Sequence, residues 1–242
     1  RLVLLGTGTC QLEDGRAASS VLVELDGLRL LFDCGRGVAA RLAELGYRQD
    51  ELRHVVISHF HADHVSDLVP LLQAGSWSRT DPRSRDLHIW GPPGLRRLIE
   101  GWFELYGPGR LVNPDGFAVE LHELPAGRFS IEGCELEFVS LPPAGNHGLG
   151  FTVDANRYAL TGDSDLHRQE IDFLSGCELA VFDSGHLSEE EIVELAASSQ
   201  ARRLVCSHLY RPLDAGALNA RAAKAGYTGE LVVGEDRMSF AL

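Results

Sequence analysis

Apolar residues recur along the chain in short runs that close in small or polar residues. "RLVLLGTGT" opens the series, and "VLVEL", "LRLLFDCG" and "HVVISHFH" follow. Farther along come "LHIWGPPG", "CELEFVSLP", "LGFTVD", "RYALTGDSD", "LAVFDSGH", "RRLVCSH" and "ELVVG". Their β-branched and aromatic content, bounded by Gly or Asp, predicts strands. Helical spacing of apolar positions predicts helices over 36–45, stopped by Gly46, and over 217–225, stopped by Gly226. A third helix, over 188–198, opens with a capping box of Ser188 and Glu191, and Leu187 and Ile192 stand where a hydrophobic staple would close its entry. "VSDLVPLLQ" reads as a fourth helix, with Asp63 and His64 presented from its start. Residues 75–85 and 107–116 read as loops. Strands interleaved with helices imply α/β layering in one domain over residues 1–242, with no linker or short-period repeat.

Composition narrows the function classes. With 242 residues, 44% of them hydrophobic, the chain can bury a sizeable core. A formal charge of −13 argues against a broad surface for nucleic acid, which needs clustered Lys and Arg. Five cysteines, an odd number with no CxxC pair, predict reduced thiols and a cytoplasmic setting. No apolar run approaches the roughly 20 residues of a membrane helix. A homodimer is an open possibility. Gly6 and Gly8 do not make a dinucleotide fingerprint, because Gln11 stands where the third glycine belongs.

The chemistry concentrates in "SHFHADH", residues 58–64. In an extended segment His59 and His61 face the same way, and Asp63 and His64 would follow from a helix start. Imidazole nitrogens and carboxylate oxygens suit Zn²⁺, with Fe²⁺ and Mn²⁺ as alternatives. Four ligands so close cannot all sit well on one ion, which points to two. The plain alternative, a polar turn with Asp63 as a helix cap, does not account for three histidines in seven positions. Further candidates stand at other strand ends: Asp163 in "TGD", His208 in "VCSH" and His147 just before a strand. Sites of layered α/β proteins collect at the carboxyl ends of strands. His54, His88, His122 and His167 have no ligand-like setting and read as structural or surface residues.

In this order of residues the chain resembles the metallo-β-lactamase superfamily, and within it the branch of ribonuclease Z and related cyclic phosphodiesterases. The likeness runs through "LGTGT", "LFDCGRG", "SHFHADH", "IWGPPGL", "TGDSD" and "SHLYRP". It implies a four-layer αββα sandwich with two divalent metals, most simply zinc, at one edge of the paired sheets. By the family pattern His59, His61 and His147 hold the first metal, Asp63, His64 and His208 hold the second, and Asp163 bridges them. Asp33 would support the site from behind. The implied activity is hydrolysis, with a hydroxide between the metals as nucleophile and Asp163 taking its proton; Asp63 completes the catalytic carboxylates. The flavodiiron branch, typically with Glu in place of the second histidine, is disfavoured by His61.

Two departures bear on the substrate. The ribonuclease Z pattern places a His followed by Glu at the end of a later strand, where this chain has Phe182 and Asp183. His186 is then the candidate acid or substrate ligand, although a helix N-terminus disfavours imidazolium. Asp183, or no acid at all, is the alternative. Ribonuclease Z also carries a long tRNA-gripping arm between the positions matching His147 and Asp163, which here are too close to hold one. A small or cyclic phosphodiester is therefore the expected substrate. A tRNA 3′-processing nuclease without the arm, or a carboxyl-ester, thioester or lactone hydrolase, is the alternative. Arg79, Arg83 and Arg85 beside Trp77 could receive a phosphate or a base, although a solvated loop is the simpler reading of 75–85.

Overall fold

The computed structural model describes residues 1–13, 15–25 and 27–242. The first half of the chain contributes strands β1 (Leu2–Gly6), β2 (Ser20–Leu25) and β3 (Leu28–Phe32), then helix α1 (Val38–Glu44) and strand β4 (His54–Val56). Helices α2 (Ala62–Val65) and α3 (Leu68–Trp77), strand β5 (Leu87–Gly91), helix α4 (Leu95–Tyr106) and strand β6 (Val119–Glu123) follow. The second half begins with an antiparallel run of β7 (Gly127–Ile131), β8 (Cys134–Leu141), β9 (Asn146–Val153) and β10 (Asn156–Thr161). It continues as α5 (Arg168–Leu174), β11 (Leu179–Asp183), α6 (Glu189–Ser199), β12 (Arg203–Ser207), α7 (Ala215–Lys224), β13 (Glu230–Val233) and β14 (Ser239–Phe240).

The strands form two seven-stranded sheets, β14-β1-β2-β3-β4-β5-β6 and β13-β12-β11-β10-β9-β8-β7. Period-two alternation decides which core each side chain enters. In β1, Leu2 and Leu4 point between the sheets, while Val3 and Leu5 face α1 and α3. In β11, Leu179 and Val181 enter the inter-sheet core, while Ala180 and Phe182 face α5 and α6. Two outer cores and one inner core make the αββα sandwich. Each sheet has a parallel half, β3 to β6 in one and β10 to β13 in the other. Parallel strands place their carboxyl ends on one edge, and residues following β3, β4, β10, β11 and β12 meet there.

The helices at 36–45, 188–198 and 217–225 form with small shifts, as α1, α6 and α7. Ser188 makes the capping box, and Gly46 and Gly226 take φ of 81° and 92° just past their helices. The expected helix through "VSDLVPLLQ" divides into α2 and α3. Pro70 cannot donate to the carbonyl of Ser66 and its ring crowds that group, so a continuous helix cannot form. The break lets Asp67 N donate to Cys34 O at 3.0 Å and Asp67 Oδ2 accept from Ala39 N at 3.0 Å, tying α2 and α3 to the loop after β3. The predicted loop 75–85 begins later than expected, because α3 extends to Trp77. Strands β6 and β7 and helices α4 and α5 also form, beyond the segments the apolar pattern singled out.

Candidate metal centre

Strand β4 ends at Val56, so Ser58 to His61 lie in the loop that follows and not in an extended strand. His59 and His61 converge nonetheless: His59 Nε2 is 3.3 Å and His61 Nδ1 3.2 Å from the same oxygen, Asp163 Oδ2. The other oxygen, Asp163 Oδ1, is 2.9 Å from His64 Nε2 and 3.4 Å from His208 Nε2. Asp63 Oδ2 lies 3.3 Å from His208 Nε2. One carboxylate thus faces a different histidine pair with each oxygen. The potential ligand atoms of His59, His61 and Asp163 lie within 4.8 Å of one another, and so do those of Asp63, His64 and His208.

The residues behind these set their tautomers. Asp33 Oδ2 accepts from His64 Nδ1 at 2.7 Å and from Ser58 Oγ at 2.8 Å, and Asp33 Oδ1 accepts from Ser58 N at 2.7 Å. With its proton on Nδ1, His64 turns the Nε2 lone pair towards the centre. His147 Nδ1 donates to Ser58 O at 3.2 Å, which likewise leaves its Nε2 free. His147 is buried against the Phe138 ring but falls outside the two tight groups of ligand atoms. Asp33 and His208 both hold left-handed backbone, with φ of 62° and 55°, an uncommon conformation for L-residues at a cost of roughly 1–3 kcal/mol each.

Two glycines permit this convergence. A Cβ on Gly162 would lie 2.5 Å from Ser58 Oγ, and one on Gly35 would lie 1.7 Å from Asp63 O. The first lets Asp163 approach the "SHFHADH" loop; the second lets α2 seat its ligands against the loop after β3.

The electrostatics suit cations. Burial alone would raise Asp163, yet the close approach of His59 and His64 and the charges of His64 and His208 hold it well below the usual carboxylate range. His208 loses basicity to burial, but Asp183 and Asp63 more than restore it, to about 9. Buried His59 Nε2, His64 Nε2 and Asp163 Oδ1 have no hydrogen-bond partner among the described residues. These orphaned lone pairs, aimed at one another's surroundings, are the donor set that a divalent ion would satisfy. The chemistry of these residues fits divalent metal binding.

Asp183 links this cluster to His186. Its Oδ2 is 2.7 Å from His186 Nδ1 and its Oδ1 is 3.2 Å from His208 Nδ1, while the backbone of Ser164 and Gly185 donates to it at 2.9 Å each. The hydrogen bond to Asp183 raises His186, outweighing its burial. His186 is half-exposed, stacks on His208 at 5.2 Å and meets Tyr210 edge-on at 5.5 Å. Phe182, by contrast, is fully buried in the outer core beneath α5 and α6, so that position does not present a side chain to the site.

Sequence reasoning missed Ser58, whose backbone and hydroxyl both serve Asp33, and Tyr210, whose hydroxyl lies 3.5 Å from Cys10 Sγ at the site's rim. It also missed Asp236, which accepts from Thr7, Ala17 and Arg41 and pins the loop after β1. His54, His88 and His122 stack with Trp90 across β4, β5 and β6, and His167 caps α5; all four are structural. Of the arginines in 75–85, Arg79 and Arg85 are exposed, whereas Arg83 is buried.

Comparison with known proteins agrees with this fold. A family model described as "Beta-lactamase superfamily domain" matches residues 28–209. The ribonuclease Z of Mycobacterium sp. (strain KMS) is 36% identical over 133 residues, 52% of this chain and 46% of that protein, so the match spans about half the relative's length. The ribonuclease Z of Streptomyces coelicolor is 28% identical over 288 aligned positions, covering 97% of this chain and 95% of its own. Among solved structures, the metallo-β-lactamase fold protein YhfI from Bacillus subtilis superposes with a TM-score of 0.78 at 20% identity, covering 98% of this chain and 97% of its own. A diphosphatase from the PhnP family gives 0.70 at 19% identity, covering 100% and 98%.

Proposed function

The chain belongs to the β-lactamase superfamily, in its ribonuclease Z-like branch, and on that premise we propose that it is a dinuclear-metal hydrolase of small or cyclic phosphodiesters. The observation that carries the reading is the split coordination around Asp163, with one oxygen towards His59 and His61 and the other towards His64 and His208. His59, His61 and His147 would hold one ion, and Asp63, His64 and His208 the other. Zinc suits this set, and Mn²⁺ or Fe²⁺ could take its place. When bound, two such ions supply an activated water and neutralise charge on a phosphoryl group.

The chain's own residues do the rest. Asp163, between the two histidine sets, is placed to receive the proton of the attacking water. Asp63 orients His208 and adds negative charge that favours the second ion. His186 stands at the opening with its Nδ1 held by Asp183, leaving Nε2 to donate a proton to a departing alkoxide. The exposed His61 side chain marks the side on which substrate enters.

Substrate size is argued from β9 and β10. They are joined through Asp154 and Ala155, both at positive φ (48° and 66°), as in a two-residue hairpin turn. This is where the ribonuclease Z pattern carries its arm, and the 288-position alignment with the Streptomyces protein, longer than this chain, requires extra segments in that relative. With a net charge of −13, the compact turn favours a small diester over folded tRNA. The relatives' name supports a second reading, an armless tRNA 3′-processing nuclease, and the fold also accommodates ester, thioester or lactone cleavage. The test is a panel run with each metal restored to stripped protein. Bis(p-nitrophenyl) phosphate and cyclic nucleotides should turn over faster than matched lactones, thioesters and precursor tRNA, and the reverse order would overturn the phosphodiesterase assignment.

A further inference from the structure

The imidazole of His186 is tethered at one atom. Its Nδ1 lies 2.7 Å from Asp183 Oδ2, and among the described residues no other hydrogen bond reaches the ring. A single hydrogen bond to a half-exposed imidazole is a pivot about which the ring can still swing. A proton donor, however, must stand within roughly 3 Å of the oxygen it serves. Two ring contacts remove that freedom. His208 stacks against His186 with centroids 5.2 Å apart and planes at 24°, and Tyr210 meets it edge-on at 5.5 Å and 71°. Tyr210 is also edge-on to His208, at 5.3 Å and 83°, so one phenol ring closes the side of the stacked pair. These separations fall in the roughly 4.5–7 Å range in which ring pairs attract.

The backbone around Tyr210 is arranged for this contact. His208, at φ 55°, turns the chain as it leaves β12, and Tyr210 lies two residues on. Gly185 admits the phenol ring, since a Cβ there would lie 2.8 Å from Tyr210 Cδ2 and 2.0 Å from His208 O. On its other side Tyr210 is backed by the loop after β1. Its hydroxyl is 3.5 Å from Cys10 Sγ, and Leu209 N donates to Thr7 O at 2.8 Å, in the loop that Asp236 pins. A thiol is a weak hydrogen-bonding partner, so the ring and not the hydroxyl makes the strong contacts.

From the edge-on contacts with both histidines we infer that Tyr210 is the positioning residue for His186. Its ring, braced against the loop after β1, holds the imidazole in one orientation on the Asp183 pivot, so that Nε2 is kept towards the departing oxygen. The use of that orientation rests on the hydrolase reading above, whereas the orientation itself does not. Tyr210 supplies no metal ligand and touches no reacting atom; it acts through His186 alone.

The first test needs no turnover. In the full, zinc-loaded chain with ¹³C-labelled histidine, the His186 and His208 ring signals are assigned by their loss in His186→Asn and His208→Asn. Ring-carbon relaxation should show His186 ordered in the parent and in Tyr210→Phe, and mobile in Tyr210→Ala. His208, which Asp63 and Asp183 also face, should stay ordered throughout. A His186 ring as rigid in Tyr210→Ala as in the parent overturns the inference, and so does loosening of both histidines together. Tyr210→Leu, which fills the space without an aromatic edge, takes its place if Tyr210→Ala does not fold. The second test compares kcat/KM for 2′,3′-cyclic AMP, which releases an alkoxide, with that for bis(p-nitrophenyl) phosphate, which needs no proton. Tyr210→Ala should slow the cyclic diester by at least about tenfold with metal content intact, and the nitrophenyl diester much less. Tyr210→Phe should recover most of that loss, and in the His186→Asn background Tyr210→Ala should cost nothing further. Equal losses on the two diesters, or a full additional loss in the His186→Asn background, overturn the inference. A parent that cleaves neither diester defeats the hydrolase reading, and the relaxation measurement still decides whether Tyr210 holds His186.

Discussion

Replacing Asp33 with Asn removes one charge and turns one acceptor into a donor while keeping the shape of the side chain. The site makes the direction of the change definite. Asp33 Oδ1 faces the Ser58 backbone N–H at 2.7 Å, so the amide oxygen must take that position. The amide NH₂ then replaces Oδ2, which now accepts from Ser58 Oγ at 2.8 Å and His64 Nδ1 at 2.7 Å. Ser58 can rotate its hydroxyl and accept. His64 can accept only by moving its proton to Nε2, the atom 2.9 Å from Asp163 Oδ1 and the one that a metal needs free. Loss of a supporting partner of this kind costs about 10–100-fold in metal affinity, or about 1.4–2.7 kcal/mol. A competition titration of stripped protein against a chromophoric chelator would resolve the two sites, and ¹⁵N spectra of the histidines would report the tautomer. Asp33→Asn should retain its far-ultraviolet circular dichroism, weaken one site by that factor and carry the His64 proton on Nε2. Unchanged affinity at both sites with His64 still protonated on Nδ1 would refute the reasoning.

Other expectations follow from the same contacts. Replacing Asp63 or His208 with Ala should lower the metal content from two ions towards one, and an unchanged count would show that these residues do not form the second site. His186→Asn should leave metal content intact and slow diesters with poor alkoxide leaving groups by about 10²–10⁴-fold, while p-nitrophenyl esters, which leave without a proton, lose much less; equal losses would remove His186 as the acid. Glu170 is buried, and desolvation lifts it to about 8 from an ordinary 4.5, with Asp183 and Asp165 adding to the effect against one hydrogen bond from Ser164. The folded chain therefore holds a proton that the unfolded chain has released, and stability falls as pH rises from about 4.5 to about 8. Glu170→Gln should flatten that fall and be more stable at pH 8 by on the order of 3 kcal/mol in urea denaturation, and a variant as pH-dependent as the parent would contradict it.

What the sequence disclosed about the fold depended on local signals. Helices α6 and α7 begin at Ser188 and Asp214, whose side chains accept from backbone N–H groups; α7 is closed by Gly226, whereas α6 ends at Gln200 in left-handed backbone. Helix α4 starts after Gly94 with no side-chain cap, and α5 is capped by His167, so neither start carries the usual polar signal. Strand β6, "VELHE", lies at a sheet edge with its residues exposed or half-buried, which weakens its alternation. The candidate metal ligands were legible because four of them lie within six positions, Asp163 and His208 follow strand ends, and His147 stands at the start of β9. The groups that aim them were not. Ser58 looks ordinary in sequence, and Asp236 reaches Thr7 from 229 positions away. The family pattern directed attention to position 182, but strand alternation turns Phe182 into the outer core and leaves Asp183 to hold both His208 and His186. The arginines of 75–85 show the same limit, since only the three-dimensional packing distinguishes buried Arg83 from its exposed neighbours.

The central claim is that Asp163 and the two histidine sets around it would hold two divalent ions on which phosphodiester hydrolysis depends. Its most direct test is elemental analysis of protein purified without chelator, coupled to a bis(p-nitrophenyl) phosphate assay as the metal is stripped and returned. The account predicts close to two transition-metal ions per chain, activity that disappears with them, and recovery when both are restored. Folded, metal-free protein with full activity would contradict it.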